Sequence, residues 1–88
     1  MTFEAIVEVV HLPGILDPQG ATVERALPAL GYENVRSVSV GKSIRLVLDA
    51  PSETEARDQV EEMCRRLLAN PVIERYDIRL TQLHEAGA

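Results

Sequence analysis

Val35-Arg36-Ser37-Val38-Ser39-Val40-Gly41-Lys42-Ser43-Ile44-Arg45-Leu46-Val47-Leu48-Asp49-Ala50 is the stretch on which the fold turns. Aliphatic residues alternate with polar ones on both sides of Gly41-Lys42, and a two-residue loop that begins with glycine suits a type II′ or I′ hairpin. Val35 to Val40 and Ile44 to Ala50 are therefore predicted to be antiparallel neighbours. Ile44, Leu46 and Leu48 form the buried face of the second strand, and Pro51 breaks it.

Upstream, Phe3 to Leu12 alternates with Phe3, Ala5, Val7 and Val9 on one face and Glu4, Ile6, Glu8 and Val10 on the other, which is a strand pattern closed by Pro13-Gly14. Asp17 then suits a helix N-cap with Pro18 at the first helical position. Val23, Ala26, Leu27 and Leu30 share one stripe, and Gly31 is placed to end the helix. Pro28 cannot donate to the carbonyl of Glu24, so a bend is predicted in the last turn.

Downstream, Ser52-Glu53-Thr54-Glu55 is a capping box. Ala56, Val60, Met63, Cys64 and Leu67 follow at helical spacing, and the helix is predicted to stop near Asn70-Pro71. Val72 to Leu80 reads as the last strand, with Tyr76, Ile78 and Leu80 on one face and Arg75, Asp77 and Arg79 on the other. The tail from Gln82 to Ala88 is predicted to fray. The order strand-helix-strand-strand-helix-strand defines one α+β domain over residues 1–81. Its predicted form is ferredoxin-like: a four-stranded antiparallel sheet with both helices on one face.

Eighty-eight residues allow one small core, burying about 60–65% of the unfolded surface. On the sheet face away from the helices, which should be wet, Ile6, Val10 and Val47 are apolar, and the last strand is expected at a sheet edge. Both features predict self-association as a homodimer or a tetramer.

The balance of 9 Lys+Arg against 14 Asp+Glu gives a formal charge of −5. That charge repels nucleic-acid backbones and anionic lipid. The eight arginines are interleaved with acids, and Phe3, Tyr32 and Tyr76 are too few to form a base-stacking platform. Partners of both kinds are therefore excluded. One cysteine rules out an internal disulfide and a Cys-x-x-Cys site. The N-terminal MTFEAIVEVV carries Glu4 and Glu8 and no basic run, unlike a signal peptide, and no apolar run reaches about 20 residues. The expected setting is the cytoplasm.

No catalytic set emerges. His11 ends a strand and His84 lies in the tail, both reading as surface residues. Cys64 falls on an apolar helix stripe and reads as a small hydrophobe. Glu61 and Arg65 are spaced as an i,i+4 pair on a solvated face. Glu74 shares a strand face with Tyr76 and lies at an interface or the sheet rim. Gly41-Lys42-Ser43 lacks the upstream glycine spacing of a phosphate loop.

Four stretches, in order, resemble the PurS family of small subunits of phosphoribosylformylglycinamidine synthase. They are Gly14-Ile15-Leu16-Asp17-Pro18-Gln19-Gly20, Ala29-Leu30-Gly31-Tyr32, Val40-Gly41-Lys42, and Met63 through Glu74. The combination of Leu-Asp-Pro-Gln-Gly with Leu67–Glu74 is the specific part. His11-Leu12-Pro13 and Pro28 depart from the family pattern. The resemblance implies a non-catalytic subunit of an ATP-dependent ligase in purine synthesis. Such a subunit bridges a glutaminase and a large synthetase and supports ammonia transfer as formylglycinamide ribonucleotide becomes its amidine. It implies no cofactor in this chain, ATP and Mg being used by the synthetase. Carried over by position, the implied contact residues are Asp17, Pro18, Gln19, Gly20, Lys42, Asn70 and Pro71. The alternative is a stand-alone dimeric ferredoxin-like regulator that binds a small ligand, for which fold analogy is the only warrant.

Overall fold

The computed structural model describes residues 1–84. It contains β1 (Thr2–His11), α1 (Pro18–Ala26), a 3₁₀ turn (Pro28–Leu30), β2 (Lys42–Asp49), α2 (Glu53–Met63) and β3 (Glu74–Leu83). The sheet is three-stranded and antiparallel in the order β2-β1-β3, which corrects the predicted four-stranded ferredoxin-like sheet.

The missing strand is Val35 to Val40, which takes no regular secondary structure and joins no ladder. Two physical causes are visible. The backbone N–H of Val38 donates to Glu24 Oε1 at 3.1 Å and that of Val40 to Asp17 Oδ2 at 2.8 Å, so donors that a ladder would use are committed to side chains. A primed hairpin turn also needs a positive φ at its first central residue. Among the described residues, Gly14 and Gly31 alone have one. Gly41 instead passes straight into β2, its backbone lying so close to the Val9 carbonyl oxygen that a Cβ would collide with it.

Pro28 ends α1 rather than bending it. The helix stops at Ala26 and one 3₁₀ turn follows. Gly31, at φ 96°, closes that turn. Its N–H donates to the Pro28 carbonyl and the Tyr32 N–H to the Leu27 carbonyl, the double bond pattern of a Schellman motif.

Ser52 caps α2 as expected, its Oγ accepting from the Glu55 N–H at 3.2 Å. The α-helix ends earlier than Asn70. Residues Cys64–Leu68 form a π turn closed by the Ala69 N–H to the Cys64 carbonyl. The extra residue in that turn shifts the helical phase. Leu67, predicted on the core stripe, is 83% exposed, and Leu68 packs on the core instead.

The core lies between α2 and the sheet. Phe3, Ala5, Val7 and Val9 of β1 are fully buried against Ala56, Val60 and Cys64. Burial raises the Cys64 thiol pKa, with the neighbouring Glu61 charge adding to the effect. The cysteine is core, as its stripe position predicted. β3 is an edge strand as expected, but it starts at Glu74 rather than Val72 and runs through Leu83. Gln82 and Leu83 of the predicted tail thus belong to the strand, and residues 85–88 of that tail lie outside the described residues. No helix among the described residues is long and apolar enough to cross a membrane.

Candidate functional site

The polar residues singled out by the sequence gather at one end of the sheet. β1 delivers His11 there, β2 begins there with Lys42 and β3 with Glu74, while the first turn of α1 brings Gln19 alongside. With Val9, Val40 and Gly41 these side chains line a cleft of about 200 Å³. His11 and Glu74 stand opposite each other in the β1–β3 register.

Asp17 holds this end together. Its Oδ1 accepts from the Gly20 N–H at 2.9 Å, capping α1. Its Oδ2 accepts from the Val40 N–H, 23 residues along the chain. These two backbone donors, Gly20 first, hold the Asp17 carboxyl below its usual pKa. Gly20 is the one buried residue of α1. A Cβ there would meet the Asp17 carboxylate and lie 2.7 Å from the Val38 carbonyl oxygen, so the position excludes any side chain.

Asn70 and Pro71 lie in the turn before β3 rather than in the cleft. The Asn70 N–H donates to Glu74 Oε1 at 2.7 Å, and its Oδ1 accepts from the Val72 N–H at 3.1 Å. They reach the cleft only through Glu74. Lys42 is not at a turn tip, since no turn exists there. It is the exposed first residue of β2, facing Val9 in the register, and makes no ion pair among the described residues.

Ile6, Val10 and Val47 do share the sheet face opposite α2. Ile6 sits between Arg45 and Arg79 across the three strands, and ion pairs from Glu4 to Arg45 (3.8 Å) and from Glu8 to Arg79 (2.6 Å) cross the same face.

Sequence reasoning undervalued two residues. His11 reads as a surface histidine, yet its Nδ1 is buried without a hydrogen-bond partner. Glu74 reads as a rim or interface residue, yet it lines the cleft and its carboxylate accepts from the Asn70 N–H in an exposed contact. The available signal was that both flank strand ends, where a sheet gathers side chains from distant parts of the chain. Among the described residues no three His, Cys, Asp or Glu side chains converge as a metal site.

The comparisons with known proteins agree with one another. Residues 4–82 match the family model for PurS, phosphoribosylformylglycinamidine (FGAM) synthase. The chain is 40% identical over 81 residues to the phosphoribosylformylglycinamidine synthase subunit PurS of Methanocaldococcus jannaschii, covering 92% of this chain and 98% of that one. It superposes on the Thermus thermophilus PurS structure with a TM-score of 0.83 at 39% identity, covering 96% of this chain and all of that one. A chain of the PurLQS structure from Thermotoga maritima matches with a TM-score of 0.83 at 33% identity, over 92% of this chain and 99% of its own. With family model, sequence relatives and fold neighbours coinciding over almost the whole length, the chain belongs to the PurS family, subunits of phosphoribosylformylglycinamidine synthase in purine biosynthesis.

Proposed function

We propose that this chain is a homodimeric, non-catalytic bridge between a glutaminase and an ATP-dependent synthetase in the cytoplasm. It supports the passage of ammonia between them as formylglycinamide ribonucleotide is converted to formylglycinamidine ribonucleotide. ATP and Mg are held by the synthetase, and the isolated chain has no turnover. The observation that carries this reading is the near-complete likeness to a chain of the Thermotoga maritima PurLQS structure.

The proposed contacts with the larger subunits are Asp17, Pro18, Gln19, Gly20, Lys42, Asn70 and Pro71. Support comes from the position of Gln19 and Lys42 beside one open cleft, where exposed polar side chains on element ends can meet a partner.

The test is reconstitution by omission. Purified glutaminase and synthetase are assayed for amidine formation from glutamine and from ammonia, with and without this chain. Addition of the chain should raise the glutamine-dependent rate well above its effect on the ammonia-dependent rate. If neither rate changes and no complex elutes from a sizing column, the bridging role is wrong and a ligand-binding regulator becomes the better reading.

A further inference from the structure

Two loops without a charged residue meet at the sheet end that carries the cleft. Leu12-Pro13-Gly14-Ile15-Leu16 leaves β1, and Pro71-Val72-Ile73 leads into β3. One backbone bond ties them, the Leu12 N–H donating to the Ile73 carbonyl at 2.8 Å. Each is also closed by its own turn, the Ile15 N–H donating to the Leu12 carbonyl and the Ile73 N–H to the Asn70 carbonyl, both at 3.1 Å. Their aliphatic side chains nevertheless stand in solvent: Leu16 is 77% exposed and Val72 79%. Loops are ordinarily polar, so aliphatics held outward on two tied loops mark a contact surface rather than scattered exposure.

The cleft beside these loops has spare donors and no spare acid. Asp17 accepts from the Gly20 and Val40 N–H groups through its two carboxylate oxygens. Glu74 stands opposite His11 in the register, yet its Oε1 accepts from the Asn70 N–H at 2.7 Å, and His11 Nδ1 stays without a partner. Lys42 makes no ion pair among the described residues, and the exposed Gln19 lines the same cleft with an amide. The cleft volume of about 200 Å³ falls below the roughly 300 Å³ at which small-molecule pockets begin, and suits one side chain.

We propose that this end of the sheet receives an acidic loop of one of the two larger subunits. A carboxylate side chain of that loop enters the cleft and pairs with the Lys42 ammonium beside the Gln19 amide, while aliphatic neighbours of the acid pack on Leu16 and Val72. The inference rests on the bridging reading above and gives the chemistry of one of its contacts. Charge complementarity selects the occupant, since an unpaired ammonium in a donor-rich cleft calls for an acid. A second copy brought to this end across a two-fold axis would set Lys42 against Lys42 and offer only the Asp17 and Glu74 carboxylates that backbone donors already hold. A free carboxylate or phosphate ion would leave Leu16 and Val72 bare.

Titration calorimetry of the chain against the purified synthetase and the purified glutaminase, each alone and both together, tests the contact. Lys42→Glu, Leu16→Asp and Val72→Asp should each weaken binding at least tenfold, and Val47→Asp on the opposite sheet face should leave it unchanged. All four side chains are exposed, and each variant alone should keep the wild-type sedimenting mass. Wild-type binding should weaken as salt is raised, and Lys42→Met should flatten that dependence. A wild-type chain that binds neither larger subunit overturns the bridging reading itself. Binding that survives Lys42→Glu, survives both loop variants, falls as far to Val47→Asp, or keeps its full salt dependence in Lys42→Met overturns the inference and leaves the bridge standing. So does a changed mass of the lone chain in Lys42→Glu, Leu16→Asp or Val72→Asp, since the surface then lies between copies.

Discussion

The two leucines at the end of the second helix give the sharpest test of the packing. Sequence periodicity puts Leu67 on the core stripe, but the π turn over Cys64–Leu68 turns it outward, leaving it 83% exposed, and seats Leu68 on the cluster of Val7, Val9, Val60 and Cys64. Full burial of a leucine is worth about 1.5–3 kcal/mol. Truncating Leu67 to alanine removes almost no buried surface and should cost at most about 0.5 kcal/mol. Truncating the half-buried Leu68 loses roughly half the transfer term plus some cavity cost, about 1–2 kcal/mol together. In a domain of this size that lowers Tm by roughly 5–15 °C. The assay is urea unfolding of wild type, Leu67→Ala and Leu68→Ala at two protein concentrations. Because the unfolding midpoint of a homodimer depends on concentration in every variant, each variant is compared with wild type at matched concentrations, and sedimentation of the folded protein shows whether a loss comes from a contact between copies. If Leu67→Ala is the more damaging at both concentrations, the helix runs through in α register and the packing described for this end is wrong.

Two further perturbations are read by titration. The Asp17 carboxyl is held below its usual pKa by the Gly20 and Val40 N–H groups. The unfolded chain therefore takes up this proton first as the pH falls, and the stabilisation present above the ordinary carboxylate range is lost through the lowered pKa. Asp17→Asn should be less stable at neutral pH and should show a shallower acid loss than wild type when urea midpoints are followed downward; equal slopes would remove Asp17 from that role. The Tyr76 hydroxyl donates to Glu61 Oε2 at 3.0 Å, and this bond, more than burial, raises its pKa. Its contribution is complete below the usual phenol range and fades as the pH rises through the raised value, so phenolate absorbance should show one late-titrating tyrosine that Tyr76→Phe abolishes. Persistence of the late step in that variant would refute the contact.

Much of the fold is legible locally because its determinants are local. Asp17 and Ser52 cap helices wherever they occur before an amphipathic run, and the alternation of Phe3, Ala5, Val7 and Val9 marks the buried face of β1 without reference to the rest of the chain. The failure at Val35–Val40 is of another kind. The alternation there is real, but whether an extended segment becomes a strand depends on who takes its N–H groups. Here Glu24 and Asp17, 14 and 23 residues away in the chain, take two of them. The π turn is equally hidden, since a one-residue slip leaves the heptad-like pattern of Val60, Cys64 and Leu67 unchanged on paper. His11 and Glu74 were readable only as strand ends, and their pairing needed the β1–β3 register.

The Leu-Asp-Pro-Gln-Gly run, the most specific part of the family resemblance, divides once its geometry is known. Asp17 is occupied by two backbone donors, and Pro18 supplies the fixed φ of a first helical residue. Gly20 is glycine because Asp17 and the Val38 carbonyl fill the space of a side chain. Three of the four residues from Asp17 to Gly20 are thus accounted for by local construction. Gln19 is not: it is exposed, caps nothing, and lines both the cleft with Lys42 and the groove between α1 and Val40. Three positions whose residues the local structure already requires say little about partners. The motif speaks most directly about recognition at the position that structure leaves free, so the proposed subunit contacts weigh most heavily on Gln19 and Lys42, and least on the aspartate that first draws the eye.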